Sequence, residues 1–279
     1  IGPAHYTCNL GRRIDKRCQK LPIIFHNLRG YDGHIVIQEL CKHVENTADI
    51  FLIAKSMESY TSFSTENLRF IDSMQHLTKG LDRLVSDLTK NGLTCLNNIR
   101  GYVASKYNSN VDEKIKLLSR KGVYPYSYMT SFETFKETLP PKEAFFNDLN
   151  ETHISDEDYN HVKTIWEEFN LSNLGELHDL YVKSDTLLLA DVFESYRDES
   201  LDEFGLDPVH YCTLPGLTWD VCLRYTKVEL ELLDDLEMHL MIERGIRGGI
   251  SVISKRLATA NNKYLDDFDV SKPSSYLFY

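Results

Sequence analysis

The chain has 279 residues, is 42% hydrophobic and carries a formal net charge of −11. That length can bury one large core or two smaller ones, and no apolar run approaches the roughly eighteen residues of a membrane span. The acidic balance argues against a broad electrostatic grip on nucleic acid, because non-specific DNA affinity comes mostly from phosphate neutralisation by Lys and Arg, but a local channel is enough to hold a strand.

Residues 1–20 read as a leader rich in Arg and Lys. It contains His5-Tyr6-Thr7-Cys8, a His-x-x-Cys pair that supplies only two of the four ligands a structural zinc needs. Six scattered cysteines form no CxxC pair and no signal peptide is present, so reduced thiols in an intracellular, non-secreted protein are expected. Next, Ile23-Ile24-Phe25 predicts a strand that runs into a polar segment, His26-Asn27-Leu28-Arg29-Gly30-Tyr31-Asp32, and Ile35, Val36, Ile37 and Leu40 predict a helix after it. Asp32 therefore stands where a strand hands over to a helix, a place where ligands collect in open α/β sheets.

A strand is predicted at Ile50 to Ala54, then a hairpin from Tyr60 to Asp72 turning at Thr65-Glu66-Asn67, then a helix over Leu81 to Leu88. The stretch from Tyr102 to Pro141, rich in Tyr, Phe and Ser, reads as an irregular insertion. Ser155-Asp156-Glu157-Asp158 is an N-terminal capping signal for a helix through Trp166. From Asn173 to Phe204 there is no proline, and Leu177, Tyr181, Asp185, Leu188 and Val192 recur at steps of three and four, which is one face of a long helix.

Asp185 is a carboxylate on that apolar face, and burying it costs several kilocalories unless something balances the charge. Lys183 or Arg197 turning back to pair with it, a solvated groove, or a functional site would each account for it. After Gly205-Leu206-Asp207-Pro208 a mostly helical segment is expected to about Arg244, then a permissive loop at Gly245 to Gly249 and a β ending.

Four short segments in order carry a resemblance. His26-Asn27-Leu28-Arg29-Gly30-Tyr31-Asp32 resembles the second exonuclease motif of family B DNA polymerases, and Tyr181-x-x-x-Asp185 resembles the third. Between them, Asp72-Ser73-Met74-Gln75-His76-Leu77 is similar to the Ser/Thr-Leu-x-x-hydrophobic element with which the protein-primed branch holds single-stranded DNA, Met74 standing for Leu. Lys121-Gly122-Val123-Tyr124 is similar to the Lys-x-x-hydrophobic element of the same branch. Ile246-Arg247-Gly248-Gly249 resembles the Tyr-x-Gly-Gly linker between exonuclease and polymerase domains, with Ile in place of Tyr. Longer phrases, such as Leu206 to Trp219, are close to the polymerases of Polinton/Maverick transposons.

The resemblance implies a ribonuclease H-like 3′-5′ exonuclease domain at 21–204, after the leader at 1–20, and a mostly helical linker at 205–279 leading toward a polymerase palm. It implies two-metal phosphodiester hydrolysis in which Asp32 and Asp185 hold Mg2+ or Mn2+ and Tyr181 aims its hydroxyl at the attacking water or scissile phosphate. Asn27 and Tyr31 would touch the frayed 3′ end, Tyr31 by stacking. His26 either orients the loop or contacts DNA or a primer protein. Ser73 is a helix N-cap before Leu77, Leu81 and Leu84, a role compatible with contacting DNA together with Met74, and Lys121 and Tyr124 are either DNA contacts or an ordinary turn.

The implied partners are a single-stranded 3′ end and primer-template DNA, dNTP in the full-length protein, and a terminal protein primer; a nuclear or organellar place follows from the same resemblance. The Asp-x-Glu pair that such enzymes carry upstream has no counterpart in residues 1–24, where Asp15 is the only acid. The chain is therefore expected to be an internal stretch with neither active site complete. The alternative is a non-catalytic remnant that binds nucleic acid or protein.

Overall fold

The computed structural model describes residues 6–7, 13–14, 20–44, 50–56, 59–107, 109–120, 122–148, 151–250, 252 and 256–277; His5, Cys8 and Lys121 lie outside these. Contacts divide the chain into two units, Ile1–Val228 and Glu229–Tyr279.

The first unit is mixed α/β. Tyr6–Thr7 (β1) and Arg13–Ile14 (β2) form a short antiparallel pair. Leu21–Phe25 (β3), Phe51–Ser56 (β4), Ser59–Ser64 (β5) and Leu68–Asp72 (β6) form a mixed sheet in the order β3-β6-β5-β4. The β5–β6 hairpin turns at Thr65, whose amide donates to the Leu68 carbonyl at 2.9 Å while its hydroxyl accepts from Leu68 N at 3.2 Å. β3 lies parallel to β6, with Phe25 opposite Asp72. A parallel pair needs a crossover, here supplied by Asp32–His43 (α1) and the antiparallel β4–β5 pair.

Alternate residues of a strand point to opposite faces, and β6 uses this to join two layers. Phe70 packs with Leu28, Phe63 and the α1 residues Val36, Ile37 and Leu40. Its neighbour Ile71 faces the other way, against Phe193 of the long helix Leu174–Phe204 (α6) and Val209. The larger core is helical. Leu81–Leu88 (α2), Asn97–Lys106 (α3), Val111–Leu118 (α4) and Asp156–Glu168 (α5) bury Val85, Ile99, Val103, Ile115, Leu118, Val162 and Ile165 against Leu174, Leu177, Leu188 and Val192 of α6.

Two caps fix these helices. Ser155 Oγ accepts from Asp158 N at 3.0 Å to start α5, as the capping signal predicts. Asp191, buried on α6, accepts from Asn98 N at 2.7 Å and Ile99 N at 3.1 Å and so caps α3 from another helix.

Two expectations are corrected, one for the stretch from Tyr102 and one for the C-terminal end, while the segment between is mostly helical as expected. The stretch expected to be irregular from Tyr102 is helical in α3, to Lys106, and in α4, whereas the described residues from Gly122 to Pro141 hold only 3-10 turns, as expected of an insertion. The segment after α6 holds Leu214–Thr226 (α7) and, in the second unit, Leu236–Gly245 (α8), with 227–235 irregular between them. In place of a β ending, the described residues of the second unit contain one isolated bridge, Asn261 to Ser275. The Asn261 side chain organises the turns around it, donating to the Asp269 carbonyl at 3.0 Å and accepting from Asp269 N at 2.8 Å.

By contacts the first unit extends past α6 through α7, and residues 205–212 are tied back to the sheet and α6. Arg197 pairs with Asp207 at 2.6 Å, Arg69 donates to the His210 carbonyl at 3.1 Å, and His76 Nε2 lies 3.1 Å from the Tyr211 carbonyl. No helix among the described residues is long and apolar enough to cross a membrane.

His76 yields a pH prediction. Burial holds its imidazole below the ordinary value, against opposing effects of the Tyr211 carbonyl and Asp72. A histidine buried neutral must charge on unfolding in acid, so its contribution is present above the unfolded pKa of about 6.5 and is lost as pH falls through the lower folded value. Thermal unfolding should therefore move to lower temperature between pH 7 and pH 5, and His76→Asn should flatten that slope. An unchanged slope in the variant would remove His76 as its source.

Candidate functional site

The C-terminal ends of the parallel strands β3 and β6 lie side by side, and each hands over to a segment singled out in the sequence. Asp72, at the end of β6, is fully buried. Its Oδ1 accepts from Asn27 N at 2.9 Å and from Met74 N at 3.0 Å, and its Oδ2 accepts from Arg29 N at 3.3 Å. One carboxylate thus shapes both the 26–31 loop and the 73–75 turn.

Ser73 Oγ lies 2.9 Å from His26 Nδ1 and 2.9 Å from the Phe25 carbonyl oxygen, while His26 Nε2 lies 3.0 Å from the Lys79 carbonyl. A carbonyl only accepts, so Nε2 carries a proton toward Lys79. Ser73 is completely buried and does not cap a helix; Asp72 does, and the Ser73 hydroxyl serves His26. The hydrogen bonds of His26 to Ser73 and to the Lys79 carbonyl are those of a residue that orients the loop.

Asn27, Gly30 and Tyr31 face outward from the loop, while Leu28 turns into the core. Asn27 adopts a left-handed backbone, φ 68°, and its side chain lies against Gly30, where an added Cβ would sit 2.9 Å from the amide. Asn tolerates that conformation better than most residues. Tyr31 is 70% exposed, its ring presented to solvent. Asp32 is half-buried at the first position of α1, where the helix dipole favours a carboxylate.

Tyr181 and Asp185 occupy the predicted face of α6, in line with buried Leu177, Leu188 and Val192. Lys183 turns to Asp179 at 3.1 Å, and Arg197 binds Glu194 and Asp207. Asp185 is instead hydrogen-bonded to Tyr181. The Tyr181 hydroxyl is also 2.5 Å from that of Tyr126, and its ring stacks on Tyr124 with centroids 5.2 Å apart. Burial, the bond to Tyr126 and the Asp185 charge push the phenol far above its ordinary pKa, so it remains a proton donor at every physiological pH. Tyr124 is held in turn by His178, Nδ1 to hydroxyl 2.9 Å.

Asp185 lines a cavity of about 190 Å³ with Gly80, Asp82 and Arg120. Lys79, whose carbonyl meets His26, precedes Gly80, so this segment links the loop after β3 to the surroundings of Asp185. Asp32 is not among the residues lining that cavity. No three His, Cys, Asp or Glu among the described residues stand together as a metal cage.

Arg247, Gly248 and Gly249 lie exposed in the second unit just after α8. A Cβ at either glycine would meet nothing within 4 Å.

Asp72, Arg120, Gly122 and Tyr126 are absent from the candidates drawn from sequence. Asp72 was legible as the one acid ending an apolar strand; nothing local marks the other three. Comparison with family models, with curated proteins and with solved structures returned no match to this chain.

Proposed function

We propose that the first unit is the single-strand-handling part of an exonuclease region like that of protein-primed family B DNA polymerases, with a ribonuclease H-like arrangement. The observation that carries this is convergence. The segments bearing the resemblance lie tens of residues apart and meet in pairs: His26 with Ser73, Asp72 with the 26–31 loop, and Tyr124 with Tyr181. The site opens at the ends of parallel strands, where open sheets bind ligands. In this reading Tyr31 stacks on a base, Asn27 hydrogen-bonds the strand, and Tyr181 donates to a phosphate oxygen. Asp32 and Asp185 would be the acids offered to Mg2+ or Mn2+. Primer-template, dNTP and a terminal protein belong to the same reading of the whole protein, as does a nuclear or organellar location.

The second reading, a binding module without turnover, is favoured by one observation: no three-ligand group stands together among the described residues. A 3′-labelled oligonucleotide separates the two. Single-strand binding is expected, with Tyr31→Ala weakening it roughly tenfold, the size of one lost base stack. Cleavage in Mg2+ or Mn2+ that Asp185→Ala abolishes would establish the exonuclease. Binding without cleavage would establish the binding module, and no binding at all would sink both.

A further inference from the structure

A second cavity, of about 500 Å³, lies beside Tyr181 in the first unit and has no place in the reading above. Its walls include Arg120, Tyr124, Tyr126, Phe146, His153 and Asp158. We propose that this cleft binds one nucleotide of single-stranded DNA, its base against the aromatic walls and its phosphate on Arg120. The inference rests on the single-strand reading and adds a subsite to it.

Three observations carry it. First, the volume suits a small organic ligand, since such pockets run from about 300 to 1,000 Å³. Second, the walls offer π faces. Tyr126 is 64% exposed, its ring set edge-on to Tyr124 with centroids 5.2 Å apart, and Phe146 and His153 lie 4.8 Å apart, centroid to centroid. Aromatic faces bind any base by stacking, which suits a protein that handles arbitrary sequence.

Third, Arg120 lines both this cleft and the cavity that contains Asp185, so an anion held by it would stand between the two. Arg120 is ion-paired with Asp158 and lies 3.8 Å from Glu157. These are solvent-exposed pairs of the kind that contribute little, and the five donors of a guanidinium can serve a phosphate beside or in place of a carboxylate. Tyr126 also joins the cleft to the chemistry proposed for α6, through its hydroxyl contact with Tyr181.

The test is an NMR titration of the intact chain with dTMP, with dAMP and with inorganic phosphate, in EDTA so that no metal contributes. Saturable shifts at Tyr126, Phe146 and His153 are expected with both nucleotides, and weaker shifts near Arg120 with phosphate alone. Arg120→Gln should weaken nucleotide binding about tenfold, losing the phosphate contact. Tyr126→Leu should weaken it severalfold, while Tyr126→Phe, which keeps the ring, should not.

The proposal is overturned if folded wild-type protein shows no saturable shift at about 10 mM nucleotide, or if binding survives both Arg120→Gln and Tyr126→Leu. Failure here with intact Tyr31-dependent single-strand binding would remove the cleft alone. Nucleotide binding in the cleft without any Tyr31-dependent binding would instead remove the reading on which it was built.

Discussion

Asp72→Ala is expected to lower the unfolding free energy by about 3–5 kcal/mol, because hydrogen bonds to a charged group contribute about 1.5–3 kcal/mol each and several donors would lose their acceptor. The carboxylate is fully buried and accepts from Asn27, Arg29 and Met74. Asp72→Asn should cost less. The amide keeps one oxygen, but its NH2 must face a backbone N–H on the other side, so one or two bonds are lost instead of all. Urea unfolding of the three proteins should rank their midpoints wild type, Asn, Ala. Amide exchange should show the 26–31 loop opening in both variants while the helical core around Ile99 and Leu174 stays protected. An Ala variant with the wild-type midpoint would show that the loop holds its shape without Asp72.

The second large effect is expected at Gly122. A Cβ there would lie 2.5 Å from Cδ2 and 2.7 Å from Cε2 of the Tyr181 ring. Overpacking of this kind typically costs about 1–3 kcal/mol, and the upper end applies because the ring has little freedom to yield. It is stacked on Tyr124, and its hydroxyl is engaged by Tyr126 and Asp185. Gly122→Ala should therefore destabilise by about 3 kcal/mol and alter the near-UV tyrosine signal. The same change made in a Tyr181→Ala background should cost almost nothing, since the clash partner is gone. A double-mutant cycle that finds no coupling would contradict the contact. If Tyr181 serves DNA as proposed, Gly122→Ala should also weaken single-strand binding without touching the loop after β3.

Much of the first unit was legible because its signals are local. The apolar run at β3, the Thr65 turn, the Ser155 cap and the three-four periodicity of α6 each specify an element from neighbouring residues alone. The helices α3 and α4 were not legible. α3 has no capping residue of its own; its N-terminus is satisfied by Asp191, which lies in another helix. Only Ile99 and Val103 of its residues are buried, too thin a stripe to announce a helix. The docking of residues 205–212 was not legible for a related reason, since Arg69 and His76 hold them by contacts of long sequence separation.

The candidate site divides the same way. Asn27, Tyr31, Asp32, Tyr181 and Asp185 are visible as unusual residues in regular settings. The partners that hold two of them, Tyr126 and Gly122 around Tyr181 and Asp72 behind Asn27, become apparent only when segments far apart in sequence are packed together. Ser73 shows the converse. A polar residue placed by motif at a ligand is fully buried, its hydroxyl held between the Phe25 carbonyl and His26.

The single carboxylate behind the 26–31 loop has a consequence for how the chain matures. β3 and β6 can pair only after α1 and the β4–β5 strands have been laid down between them, and closing such a non-local parallel pair is slow compared with forming helices. Until that happens Asp72 is not beside Asn27, and the outward-facing ends of the loop have no defined shape. The loop proposed to meet DNA is thus expected to be among the last parts of the unit to take shape, so that a chain with this pair unformed would lack the Tyr31 contact with the strand.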